Sequence, residues 1–228
     1  MCVGAKEDAA LQLARHEGWT SACQLYEHLH SGGDLTALPP GPVRLKPGEE
    51  AYASAVLGYA RYYGKTVTYQ QSSALVLGSA AFVAAGLAAN MIANTSARRR
   101  AEAQAAIQWR DHANVRTILT NRRLLCDYGG RWLSFWHKGI VEFQGDLAHW
   151  LFVLRYQVGH PIMLHGPAAP WFAVSVAHLV YGRRGLQLPA LTALADAVAG
   201  AAAQRRRAVN GEIVPGTSAA GSQAAPPE

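Results

Sequence analysis

Apolar positions in residues 5–30 recur near helical spacing. Leu11, Leu13, Ala14, Trp19, Cys23, Leu25, Tyr26 and Leu29 form a mostly apolar stripe. The pattern predicts a helix, with Gly18 expected to divide it into two pieces. Ser31-Gly32-Gly33-Asp34 and a proline-rich run from Pro39 to Pro47 read as a linker, placing a boundary near residue 46. Glu49–Tyr63 is compatible with strand or helix, and Thr66-Val67-Thr68-Tyr69 is β-prone. Residues 98–110 read as helix, since alanine and long polar side chains favour it. From His112 the period shortens. Segments 114–120, 123–128, 132–136, 140–143, 150–156 and 161–164 are aromatic or β-branched, and turn residues separate most of them. That succession predicts an antiparallel meander or small barrel. Pro170 suits a first helical turn, and the almost wholly apolar stretch Trp171–Tyr181, stopped by Gly182, predicts a buried helix. A last helix is expected from Pro189 to about Ala208, with Arg205, Arg206 and Arg207 at its C-terminal end, where cations suit the helix dipole. The Gly/Ser/Ala/Pro composition of 210–228 reads as a disordered tail.

One segment departs from ordinary amphipathic patterning. Thr66–Ala97 carries no charge, and within 74–92 only Ser79 and Asn90 are polar. The length suits a membrane span, but seven of those nineteen residues are alanine and two are glycine. Three readings stay open: a buried or oligomer-forming helix, a helix lying on a membrane, and a true span. Gly78, Ala81, Ala85 and Ala89 recur at close to four-residue spacing, a small-residue face suited to helix packing. Arg98, Arg99 and Arg100 follow at once.

Leu119-Thr120-Asn121-Arg122-Arg123-Leu124 resembles the "LTxxRL" strand pair of bacterial PH-like or GRAM-like domains of actinobacterial type. Trp132-x-x-Phe135 and Ile140 sit where such domains carry a "W-x-x-I" strand, and the resemblance runs over about residues 48–185. It implies an α+β fold: a small bent antiparallel β-barrel of PH-like type capped by a C-terminal helix. The departure is an Ala/Gly-rich helical insertion at 70–110. The implied organisation is an N-terminal helical segment and linker (1–46), a PH-like domain with that insertion (47–185), a C-terminal helix (186–209) and the tail.

Composition narrows the function. The chain has 228 residues, half of them apolar, 16% charged, with a net charge of +6. The two arginine triplets supply six of 21 basic residues; the remaining 15 balance the 15 acidic ones. The positive charge is therefore local, which favours a local anionic contact over a broad nucleic-acid surface. Cys2, Cys23 and Cys126 form no paired framework and fit a reducing compartment. The first residues lack the basic and apolar regions of an export signal, so a cytoplasmic location is expected, peripheral at the inner face of the membrane if the apolar segment engages it. Cys23, His28 and His30 lack a zinc-like ligand spacing, and His112, His137, His149, His160 and His165 are scattered, so no metal or cofactor is expected. There is no nucleophile elbow, P-loop or dinucleotide-binding glycine pattern, and Asp127, Glu142 and Asp146 suggest no carboxylate pair. The expectation is a non-enzymatic binding or adaptor protein, with Arg98, Arg99, Arg100, Arg122 and Arg123 as candidate lipid or anion contacts. The alternative is a cytosolic interaction module that pairs with itself or another protein through the 74–92 helix.

Overall fold

The computed structural model describes residues 3–64 and 106–211. The β-prone 66–69 segment, the 74–92 helix with Gly78, Ala81, Ala85 and Ala89, the arginines at 98–100 and most of the tail lie outside the described residues.

Seven antiparallel strands form one curled sheet in an α+β fold: β1 (Ala51–Tyr63), β2 (Gln108–Thr120), β3 (Arg123–Tyr128), β4 (Arg131–Trp136), β5 (Ile140–Asp146), β6 (Leu151–Tyr156) and β7 (Ile162–His165). Their order is β4-β3-β2-β1-β7-β6-β5. Two meanders thus meet at β1, which pairs with β2 over its length and with β7 from Gly58 to Arg61. The β1–β2 register shifts between Tyr59 and Arg61, opposite Asp111, whose φ of 58° marks the irregularity. An irregularity of this kind adds bend and twist. Gly58 matters here because a Cβ on it would meet the His165 ring at 2.1 Å.

Helix α1 spans Val3–His30, and α2 (Ala169–Tyr181) and α3 (Thr192–Gly211) follow the sheet. Pro170 lies in the first turn of α2, and Gly182 closes it at φ 61°. Phe172, Ala173, Val174, Val176 and Ala177 are fully buried in a core shared with Leu57, Leu119, Leu124, Phe152, Leu154 and Leu164. Ser175 stays within that apolar helix because its hydroxyl donates to the Trp171 carbonyl four residues back.

Four expectations are corrected. Helix α1 is unbroken, and Gly18 serves close packing: a Cβ there would lie 2.0 Å from the Pro167 carbonyl oxygen. The boundary near residue 46 does not divide two cores, since Ala22, Tyr26 and Leu29 of α1 belong to the core of the sheet, and Tyr26 Oη donates to the Leu186 carbonyl. Residues 108–110 are strand, because they pair with Tyr63, Tyr62 and Arg61 of β1 and cross-strand hydrogen bonding overrides local helix propensity. Residues 189–191 form a separate 3-10 turn before α3, which continues to Gly211, so Arg205–Arg207 sit inside it; Arg205 pairs with Glu27 of α1 at 3.0 Å.

Candidate functional site: the hairpin of β2 and β3 and the mouth of the curled sheet

The β2–β3 hairpin is organised by Thr120 and Asn121. Thr120 Oγ1 accepts from the Arg122 and Arg123 amides at 3.2 and 3.0 Å, the local geometry that makes threonine a turn former. Asn121 clamps the incoming chain: its Nδ2 donates to the Gly48 carbonyl and its Oδ1 accepts from the Glu50 amide. Gly48 takes a φ of 68° there. This clamp sets Glu49 beneath the hairpin, with its side chain fully buried.

Arg123 meets Glu49 in a bidentate pair, Nε to Oε1 at 2.8 Å and Nη2 to Oε2 at 2.9 Å. The Lys46 amide donates to Glu49 Oε2, Thr120 Oγ1 lies 2.9 Å from Oε1, and Arg123 Nη1 donates to Ser134 Oγ. The guanidinium stacks over Trp136 at 4.7 Å. Burial pushes the Glu49 carboxyl up, but the bonds from Arg123, Lys46 and Thr120 outweigh it and bring the carboxyl down to about 2. A buried pair needs this degree of satisfaction to repay its desolvation. Arg123 is thus a structural ion-pair partner, which replaces the reading of it as an anion contact. Arg122, its neighbour, is exposed.

The turn Trp136-His137-Lys138 stands between two clefts. One, of about 350 Å³, is lined by Asn121, Arg122, Trp136, His137 and Lys138. The other, of about 340 Å³, lies between the end of β4 and the β6–β7 loop and includes Arg61, Phe135, Trp136, Lys138, Tyr156 and His160. Lys46 Nζ sits 4.5 Å from the centre of the Trp136 ring. Lys46 thus lies on the indole, Arg122 and Lys138 share one cleft with it and Arg61 and Lys138 the other, and among the described residues no carboxylate lines either cleft. Concave surfaces lined by one sign of charge concentrate counter-charged ligands. His137 Nε2 donates to the Thr120 carbonyl at 2.9 Å, and burial lowers its imidazole pKa, so the ring is a neutral positioning group at pH 7.

Sequence patterning missed Glu49, Arg61, Tyr59 and Tyr156. For Tyr59 and Arg61 the partial signal was alternation, because Tyr59, Arg61 and Tyr63 occupy every second position of β1 and an arginine between two tyrosines marks a polar point on an aromatic face. Tyr59 is fully buried and within ring contact of Tyr128 and Phe135; Phe135 in turn contacts Tyr156. Among the described residues, Tyr59 Oη, Tyr156 Oη, Arg61 Nε and Asp127 Oδ1 are buried without a hydrogen-bond partner. Burial raises both phenol pKa values, so both remain protonated.

The remaining candidates resolve as packing or local bonding. Cys126 is buried, and burial pushes its thiol up to about 12, the opposite of an activated nucleophile. His28 bonds the Asp34 carbonyl, His30 stacks on Tyr26, and His149 pairs with Asp146. Among the described residues no three His, Cys, Asp or Glu side chains gather at a metal-binding distance. No single described helix is long and apolar enough to cross a membrane. Compared with family models, curated proteins and solved structures, the chain matches none.

Proposed function

We propose that this chain is a non-enzymatic binding or adaptor protein of PH-like type whose Trp136–Lys138 turn and Arg122 contact the anionic face of a membrane from the cytoplasmic side. The observation that carries this reading is Lys46 lying on the Trp136 indole, with Arg122 and Lys138 lining a cleft beside the same ring. An indole flanked by ammonium and guanidinium groups suits the boundary between lipid head groups and water. The strand order supports the PH-like assignment: two meanders share a bent β1, and α2 packs on β5 and β6. The β1–β2 connection carries the apolar 74–92 segment and the arginines at 98–100, and it leaves from Tyr63, two residues beyond Arg61. That connection would add apolar and cationic contact to the same encounter.

Flotation of the full chain with phosphatidylcholine vesicles, with and without phosphatidylserine, tests the reading. Binding is expected only with phosphatidylserine. Each lysine or arginine near such a surface contributes about 1 kcal/mol, so Arg122→Ala combined with Lys138→Ala should weaken partitioning roughly 30-fold. Equal flotation with both vesicle types overturns the membrane contact. A soluble oligomer that ignores both would instead favour the self-associating module.

A further inference from the structure

We propose that β4 is a self-association edge, through which two copies of this chain pair as antiparallel strands with Ser134 on the two-fold axis. This goes beyond the membrane reading and does not rest on it. Strand β4 ends the sheet, and β3 is the only described strand that pairs with it. The direction of its free groups follows from the β3–β4 ladder. The two-residue turn Gly129-Gly130 closes on the Tyr128–Arg131 pair, and at the other end the His137 amide donates to the Arg122 carbonyl at 2.9 Å. Antiparallel ladders alternate, so Arg131, Leu133, Phe135 and His137 turn their main-chain groups towards β3. The amides of Trp132, Ser134 and Trp136, with the carbonyls of Trp132 and Ser134, then point out of the sheet edge. Ser134 is exposed and Trp132 is 38% exposed. Edge strands commonly carry lysine, proline or a bulge that prevents pairing with another chain. Residues 131–136 contain neither residue type, and their pairing with β3 runs without a register shift.

The residue order selects a second copy as the occupant. Arg131-Trp132-Leu133-Ser134-Phe135-Trp136-His137 reads nearly alike in both directions about Ser134. A two-fold interface needs a surface complementary to itself, and an antiparallel pair of palindromic strands meets that condition. Opposed residues must share a face of the sheet. The register centred on Ser134 therefore sets Trp132 against the partner's Trp136 and Leu133 against the partner's Phe135. The two Ser134 residues exchange main-chain bonds, and each Trp136 amide reaches the carbonyl of the partner's Trp132. Arg131 falls opposite the partner's His137, which is buried and neutral at pH 7, so no like charges oppose each other. A charged peptide would find no charge between 132 and 136 to read. The cleft beside Ser134, Phe135 and Trp136 leaves space along this edge, and Val158 in its lining is 89% exposed, an apolar side chain that a second copy would cover.

The test is sedimentation velocity of the full chain without lipid, which should show a concentration-dependent monomer–dimer equilibrium. Trp132→Lys places a charge on the exposed edge, and Ser134→Pro removes an amide that points away from β3. Each should raise the dimer dissociation constant at least tenfold. Trp132→Lys alters an exposed side chain, so its monomer should keep the parent's melting temperature, and it carries the test alone if Ser134→Pro does not fold. Cross-linking fixes the register. Directly opposed, hydrogen-bonded residues have Cα atoms about 5.5 Å apart, within disulfide reach. Ser134→Cys should therefore give a disulfide dimer under copper–phenanthroline oxidation, above the parent's own level and mapped to position 134 by peptide analysis. Trp132→Cys should not, because its two copies would lie roughly 13 Å apart. A dimer built through residues 74–92 would be indifferent to the edge substitutions. The proposal is overturned if the chain is monomeric at all concentrations, if the dimer survives Trp132→Lys unchanged, or if position 134 cross-links no better than position 132.

Discussion

Arg123 and Arg61 both project from strands of the same sheet, yet their surroundings differ in every respect that matters. Arg123 gives two N–H groups to Glu49 and one to Ser134 and lies over Trp136. Arg61 lies 5.8 Å over the Tyr63 ring, lines an open cleft and leaves its Nε without a partner among the described residues. The first is a charge neutralised at the junction of three chain segments. The second keeps its charge beside a cleft, with one buried N–H unmatched among the described residues. A fully satisfied buried arginine reports on architecture, whereas an unmatched buried N–H marks a place where the fold gives up some stability.

The largest effect should come from breaking the satisfied pair. Glu49→Gln leaves the Arg123 guanidinium buried against a neutral partner, and a loss of about 3–5 kcal/mol in urea unfolding is expected. Acid titration sharpens the point. The Glu49 carboxyl is held at about 2, below its ordinary 4.5, so its stabilisation is fully present above pH 4.5 and disappears as the pH falls through 2. Over that window the parent should lose about 3 kcal/mol from this group alone, and Glu49→Gln should lose correspondingly less. An equally steep acid profile in the variant would show that the pair does not anchor the hairpin.

Next in size is Gly18→Ala. Its added methyl would collide with the Pro167 backbone, and a loss of about 1–3 kcal/mol is expected from displacing α1, measurable as a lower denaturation midpoint. A neutral result would mean that α1 is not held against the loop before α2. On the other side of the comparison, Tyr156→Phe should raise stability, by up to about 1 kcal/mol, because it deletes a buried hydroxyl with no described partner. The smallest effect is expected at Arg122, whose side chain is exposed: Arg122→Ala should change unfolding free energy by less than about 0.5 kcal/mol while reducing vesicle binding. A large stability loss there would erase the contrast between the two hairpin arginines.

Strands β3, β4, β6 and β7 were legible to within about a residue, because alternation and flanking turn residues are local signals. So was α2, whose apolar run is bounded by Pro170 and Gly182. The start of β2 was not legible: Gln108-Trp109-Arg110 has helix-compatible composition and becomes strand by pairing with β1. Gly18 looked like a helix breaker because its packing partner, Pro167, lies far away in the chain. The site was half legible. The basic hairpin residues were visible, but only geometry separates buried Arg123 from exposed Arg122, and Glu49 carried no sequence signal of its role, which depends on Asn121 clamping its neighbours.

Period, turn chemistry and charge spacing were enough to specify an α+β chain with a strand meander, a buried C-terminal helix and positive charge confined to short clusters. These are properties of neighbours along the backbone, where sterics and side-chain direction act over a few residues. Which arginine is neutralised, which tyrosine hydroxyls lack partners and which glycines admit another segment depend on groups far apart in sequence. Desolvation and hydrogen-bond satisfaction act through space, so only the folded arrangement around Trp136 decides them.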